Sequence, residues 1–71
     1  MIDLVRVSSS NLHSVGYDPD SQTLRIKFKE GGTYDYYNVP ETRFIGLMNA
    51  GSKGGYHDSY IKDRYRYRKV R

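Results

Sequence analysis

Apolar and basic residues alternate strictly along Leu24-Arg25-Ile26-Lys27-Phe28-Lys29, the pattern of a β-strand with one buried and one wet face. Before it, Asp18-Pro19-Asp20-Ser21 is turn chemistry, with proline presetting φ and carboxylates able to accept from nearby N–H groups. Leu12 to Tyr17 reads as a preceding strand, although its alternation is poor. Downstream, Glu30-Gly31-Gly32 closes a hairpin into Thr33-Tyr34-Asp35-Tyr36-Tyr37. Two registers are open for that hairpin. A two-residue loop puts Tyr34 and Tyr36 on the face of Arg25 and Lys27, as an exposed stacking surface. A three-residue loop, Lys29-Glu30-Gly31, with glycine at the left-handed bulge position, puts them beside Leu24 and Ile26. The second register collects the apolar residues on one face and sets Asp35 opposite Arg25, a cross-strand pair worth about 0.2–1 kcal/mol. It is the one favoured, and it makes Tyr34 and Tyr36 mainly core.

Val39-Pro40-Glu41 predicts a helix start, with proline at the first helical position and an acid in the first turn. Phe44, Leu47 and Met48 follow at three- and four-residue spacing, Ile45 widens the stripe, and Gly51 predicts a left-handed stop. Ser52 can cap a second helix over roughly 54–62, with Tyr56, Tyr60 and Ile61 as its apolar stripe. Arg64 to Val70 alternates tyrosine and arginine, as a closing strand or as extended chain on the surface. The expected fold is α+β: a three-stranded antiparallel meander packed by two short helices, with a C-terminal extended segment or fourth strand.

At 71 residues without cysteine, a single domain must be stabilised by packing alone, with neither a disulfide nor a thiolate metal site. Eight tyrosines supply large apolar bodies whose hydroxyls can stay wet. No segment has the length of a transmembrane helix or the pattern of a signal peptide, so a cytoplasmic, membrane-free protein is expected. Charge is lopsided. From Lys53 to Arg71 there are seven basic residues against two acidic, whereas the first 52 residues carry five against six. Cations interleaved with Tyr65 and Tyr67 are the composition of a nucleic-acid contact surface.

The order of residues also resembles a known family. Ser9-Ser10-Asn11-Leu12 leads to Val15-Gly16-Tyr17; Leu24, Ile26, Phe28, Gly31 and Tyr34-Asp35-Tyr36 follow. Val39-Pro40, Phe44, Leu47, Ala50, Ser52, Gly54-Gly55-Tyr56 and Ile61 complete the series. This series resembles the KTSC domain, named for its place at the C-terminus of some lysyl-tRNA synthetases and also found as free-standing small bacterial proteins. The resemblance covers about residues 8–70 and leaves residues 1–7 as a mobile lead-in. It implies a domain without established function, associated with RNA through its synthetase company.

The reading that follows is a small non-catalytic module binding tRNA or other structured RNA, without cofactor and as a monomer. Lys53, Lys62, Arg64, Arg66 and Arg68 are the expected phosphate contacts. Arg25 and Lys27 extend the surface, and Tyr65 or Tyr67 stacks on bases. The loop of Ser52, Gly54 and Gly55 offers N–H groups to a phosphate, but reads better as a serine-capped helix connection. His57-Asp58 points its two side chains apart on a helix and His13 stands alone, so neither metal nor acid–base chemistry is expected. The alternative is a protein-interaction module whose basic end docks on an acidic partner, such as an RNA-handling enzyme.

Overall fold

Five antiparallel strands form one sheet in sequence order: β1 (Val5–Arg6), β2 (Leu12–Asp18), β3 (Thr23–Phe28), β4 (Thr33–Tyr36) and β5 (Tyr67–Lys69). Helix α1 (Glu41–Asn49) follows β4. Helix α2 (Lys53–Tyr56) runs directly into a π-helical turn, His57–Ile61. This is a computed structural model, and it describes residues 2–71. The α+β class and the two short helices agree with the sequence reading. The sheet has five strands rather than the expected three or four, because the meander recruits a short strand from each end of the chain.

The favoured hairpin register is the one observed. Leu24 pairs with Tyr36, Arg25 with Asp35 and Ile26 with Tyr34, and the Phe28 amide donates to the Gly32 carbonyl across a three-residue loop (2.9 Å). Gly31 and Gly32 have φ of 106° and 93°, a backbone region that side chains with a Cβ rarely enter. Gly32 also lies against the Arg71 carbonyl, where a Cβ would collide. The turn therefore leaves room for the chain end to return beside it. Thr33 donates to the Arg71 carbonyl (3.1 Å), and Val70 donates to that of Thr33 (2.8 Å).

Poor alternation in β2 has a local cause. Leu12 pairs with Phe28 but Ser14 pairs with Lys27, so His13 is an extra residue in a β-bulge. The bulge brings Leu12 and Val15, three apart, onto one face. There they join Leu24, Ile26, Val39, Leu47 and Ile61, each at most 1% exposed, in a core that also includes Tyr36. Tyr17 stacks on Phe44 (centroids 5.0 Å apart) and donates to the Val39 carbonyl, which seats α1 on the sheet. Pro40 is the N-cap of α1 rather than its first residue, so the helix begins one residue later than expected. Gly51 is not its left-handed stop, since Ala50 is already extended (φ −69°, ψ 140°). Ser52 caps α2 as predicted, accepting from the Gly55 amide (3.2 Å).

On the opposite face of the sheet, Arg25 and Asp35 make a bidentate pair, Nε to Oδ1 at 2.7 Å and Nη2 to Oδ2 at 2.9 Å. Paired groups in this geometry are among the stronger polar contacts. Asp35 is the more buried partner, with 9% of its side chain exposed against 30% for Arg25. The consequence is asymmetric: removing the cation strands a buried carboxylate, whereas removing the acid leaves a guanidinium that water can reach. Arg25→Met should therefore lower the unfolding free energy by about 1–3 kcal/mol, and Asp35→Asn by less. Urea denaturation of the two variants checks the order.

Candidate functional site

Pairing across β3, β4 and β5 divides the residues singled out in the sequence between two faces. Leu24, Tyr36 and Tyr67 are in register, as are Arg25, Asp35 and Arg68. Directly paired residues share a face, so Tyr67 stands with the tyrosines on the helix side and Arg68 stands with Arg25 and Lys27 on the other. The basic, tyrosine-containing tail is thus not a single surface. Arg25 is taken up by Asp35. Lys53 is half-buried and donates to the Ala50 carbonyl (3.3 Å) at the end of α1. Tyr65 is half-buried against the core. Lys62, Arg64, Arg66 and Tyr67 remain exposed around the helix-side end of the sheet.

Of these, Lys62 and Tyr67 line a pocket of about 550 Å³ between the sheet and the second helix, within the roughly 300–1,000 Å³ typical of small-ligand sites. Its aromatic walls are Phe28, Tyr34, Tyr36, His57 and Tyr67. Its polar lining comes from Asn11, Asp58, Lys62 and Asp63, with Gly54 and Gly55 at one side. A second, shallower depression lined by Asp63, Arg64, Tyr65, Arg66 and Tyr67 shares Asp63 and Tyr67 with it. Pocket and basic shelf therefore adjoin at these two residues.

The inner part of the pocket is built on Tyr36 and His57, which are 5% and 7% exposed. The tyrosine hydroxyl and the histidine Nε2 are 2.8 Å apart. His57 meets Phe28 and Tyr36 edge to face, with centroids 5.1 and 5.5 Å away. Tyr67 leans on Tyr34 and Tyr36 at 5.8 Å from each, and is still 57% exposed at the mouth. Burial, with smaller contributions from Tyr34, Tyr67 and Asp63, pushes the Tyr36 phenol up to about 12. Burial likewise lowers the His57 pKa, an effect that neighbouring Asp58 only partly opposes. Both groups are consequently neutral at neutral pH, a hydrogen-bonded floor that carries no charge.

Sequence reasoning placed Tyr34 and Tyr36 in the core and gave His57 no role. The signal for His57 was its spacing of four from Ile61, which sets both on one helix face. The π-helical turn, closed by the Lys62 amide on the His57 carbonyl (2.8 Å), turns both inward. Such turns often occur at functional sites. No group of three or more potential metal ligands is present among the described residues. Likewise, none of their helices is long and apolar enough to cross a membrane.

A buried neutral histidine makes stability depend on pH. Its folded-state pKa lies below the ordinary 6.5, so the unfolded chain takes up the proton first. The contribution is complete above about pH 6.5 and is lost as pH falls through the folded value. Urea midpoints measured at about pH 7.5 and about pH 5 should show this loss, and His57→Gln should reduce the difference. Tyr36→Phe should cost about 1–3 kcal/mol at neutral pH by leaving the imidazole nitrogen unpaired.

The comparisons agree with this architecture. The family model for the KTSC domain matches residues 8–65. A crystal structure of a KTSC domain protein from Yersinia pestis superposes with a TM-score of 0.98 at 44% identity, over 100% of both chains. A protein of Tsukamurella paurometabola is 42% identical over 60 residues, 84% of this chain and 90% of that one. A lysine–tRNA ligase of Nostoc sp. is 36% identical over 67 residues, which make up 94% of this chain but 12% of the ligase. With both the family model and a full-length structural match in place, the chain belongs to the KTSC domain family.

Proposed function

We propose that this chain is a small, non-catalytic RNA-binding module of the bacterial cytoplasm, acting as a monomer on tRNA or another structured RNA. One observation carries the reading: an open aromatic pocket, with Tyr67 at its mouth, adjoins a shelf bearing Arg64 and Arg66. Unpaired bases stack on exposed aromatic rings while neighbouring cations neutralise phosphates, which is the usual division of labour in single-strand recognition. The likeness to a segment of a lysine–tRNA ligase supports the same choice by association. The Tyr36 hydroxyl and His57 Nε2 are engaged with each other on a nearly buried floor, which supports a wall for binding over a catalytic pair.

In this reading Lys62, Arg64 and Arg66 contact phosphates, Tyr67 stacks, and Tyr65 supports the shelf from below. Arg68, Arg25 and Lys27 lie on the far face and contribute only to the general field. Lys53 and the Ser52, Gly54 and Gly55 turn shape the pocket side rather than bind phosphate. A second reading rests on that far face, where Arg25, Lys27 and Arg71 adjoin Ile2, Leu4 and Val70 around a depression of about 480 Å³. Cations beside exposed aliphatics fit an acidic protein partner, such as an RNA-handling enzyme.

Fluorescence-anisotropy titration of total tRNA, single-stranded RNA and duplex DNA at two salt concentrations separates the two. Expected is a preference for RNA containing unpaired bases. Arg64→Ala combined with Arg66→Ala should lower the slope of log affinity against log salt by about 1.4 for a single strand, at about 0.7 per lost phosphate contact. Arg68→Ala should change it little. Weak, indiscriminate binding with equal effects from all three arginines would instead favour the protein-docking reading.

A further inference from the structure

Asp63 is out of place on structural grounds. It lies immediately after the second helix, in the left-handed region at φ 62°, which glycine favours and which asparagine and aspartate enter more readily than other side chains. A carboxylate there also faces the negative end of the helix dipole. Among the described residues it forms no salt bridge, whereas Asp58 approaches the Lys62 ammonium at 3.9 Å. It sits within the most basic stretch of the chain, lining both the pocket and the arginine shelf. An acid so placed repels phosphate, and it stabilises neither the helix end nor a salt-bridged cation. What a carboxylate offers a flat ligand between aromatic walls is two acceptor oxygens side by side and no donor.

We propose that the pocket takes one unpaired guanine, stacked on Tyr67, with Asp63 accepting hydrogen bonds from the base. This deepens the RNA-binding reading and rests on it. Guanine is the standard base whose Watson–Crick edge carries two adjacent donors, N1–H and the N2 amino group, matching both oxygens of one carboxylate. Adenine and cytosine present one amino donor beside a ring acceptor that the carboxylate repels. Uracil presents a single N–H between two carbonyls. The cations of the shelf hold the flanking phosphates away from Asp63, so one site separates base from backbone by charge.

The test uses the full chain and four single-stranded RNA decamers of uridine whose fifth position is guanosine, adenosine, cytidine or uridine, followed by fluorescence anisotropy. The guanosine oligomer should bind at least about fivefold more tightly than the others, the discrimination expected of one bidentate base contact. Asp63→Asn should abolish that preference while leaving thermal stability unchanged or raised, because asparagine suits the left-handed position and removes the charge from the helix end. Asp58→Asn should keep the preference. Equal affinity for all four oligomers, still weakened by Arg64→Ala with Arg66→Ala, overturns the guanine site and leaves RNA binding standing. A guanosine preference that survives Asp63→Asn also overturns it. Binding of none of the oligomers, nor of tRNA, overturns both proposals together.

Discussion

The pairing register of β3 with β4 is the constraint on which the rest of this domain depends. A strand's side chains alternate with period two, so a slip of one residue would exchange its faces completely. With Arg25 opposite Asp35, Leu24 and Ile26 face the helices together with Tyr34 and Tyr36. Because the same register continues into β5, Tyr67 comes to stand beside Tyr36, and the aromatic cluster acquires its exposed member. Gly31 and Gly32 hold the turn in a conformation that other residues resist, and the Arg25–Asp35 pair holds the opposite face. Core and pocket are thus set by one alignment rather than two.

Legibility in the sequence follows the range of the interactions. β3 was visible because its alternation is local, and the hairpin register followed from asking which loop length gathers the apolar residues. The Ser52 cap was visible for the same reason, as a matter of three residues. β1 and β5 were harder, being short edge strands whose existence depends on partners distant in the chain. Val5–Arg6 has no periodic signal of its own, and the approach of Arg71 to Gly32 is invisible before the turn is built. The bulge at His13 shows how one extra residue erases alternation from a strand that is nonetheless well packed.

The site was legible in its parts and misread as a whole. Composition drew attention to the arginines of the tail, but alternation in the sequence means separation in space. Arg68 and Tyr67 are neighbours in the chain and lie on opposite faces of the sheet. Conversely, Phe28, Tyr36 and His57 come together from three elements, and none of them carries charge at neutral pH. A charge count therefore overstated the unity of the tail and overlooked the uncharged floor.

That floor explains how so small a domain can keep an open pocket. A 71-residue chain has little apolar area to spare, and an unpaired polar group in its interior would be costly. Tyr36 and His57 satisfy each other, and among the described residues no buried side-chain nitrogen or oxygen lacks a partner. The rings then serve twice: they pack into the core with Ile26 and Ile61, and they line the open pocket. Tyrosine suits this double use better than phenylalanine or leucine, because its hydroxyl can end a packed wall at a wet boundary. The abundance of tyrosine in this chain is consequently part of its stability and of its candidate site at once, and substitutions at the pocket should be judged on both.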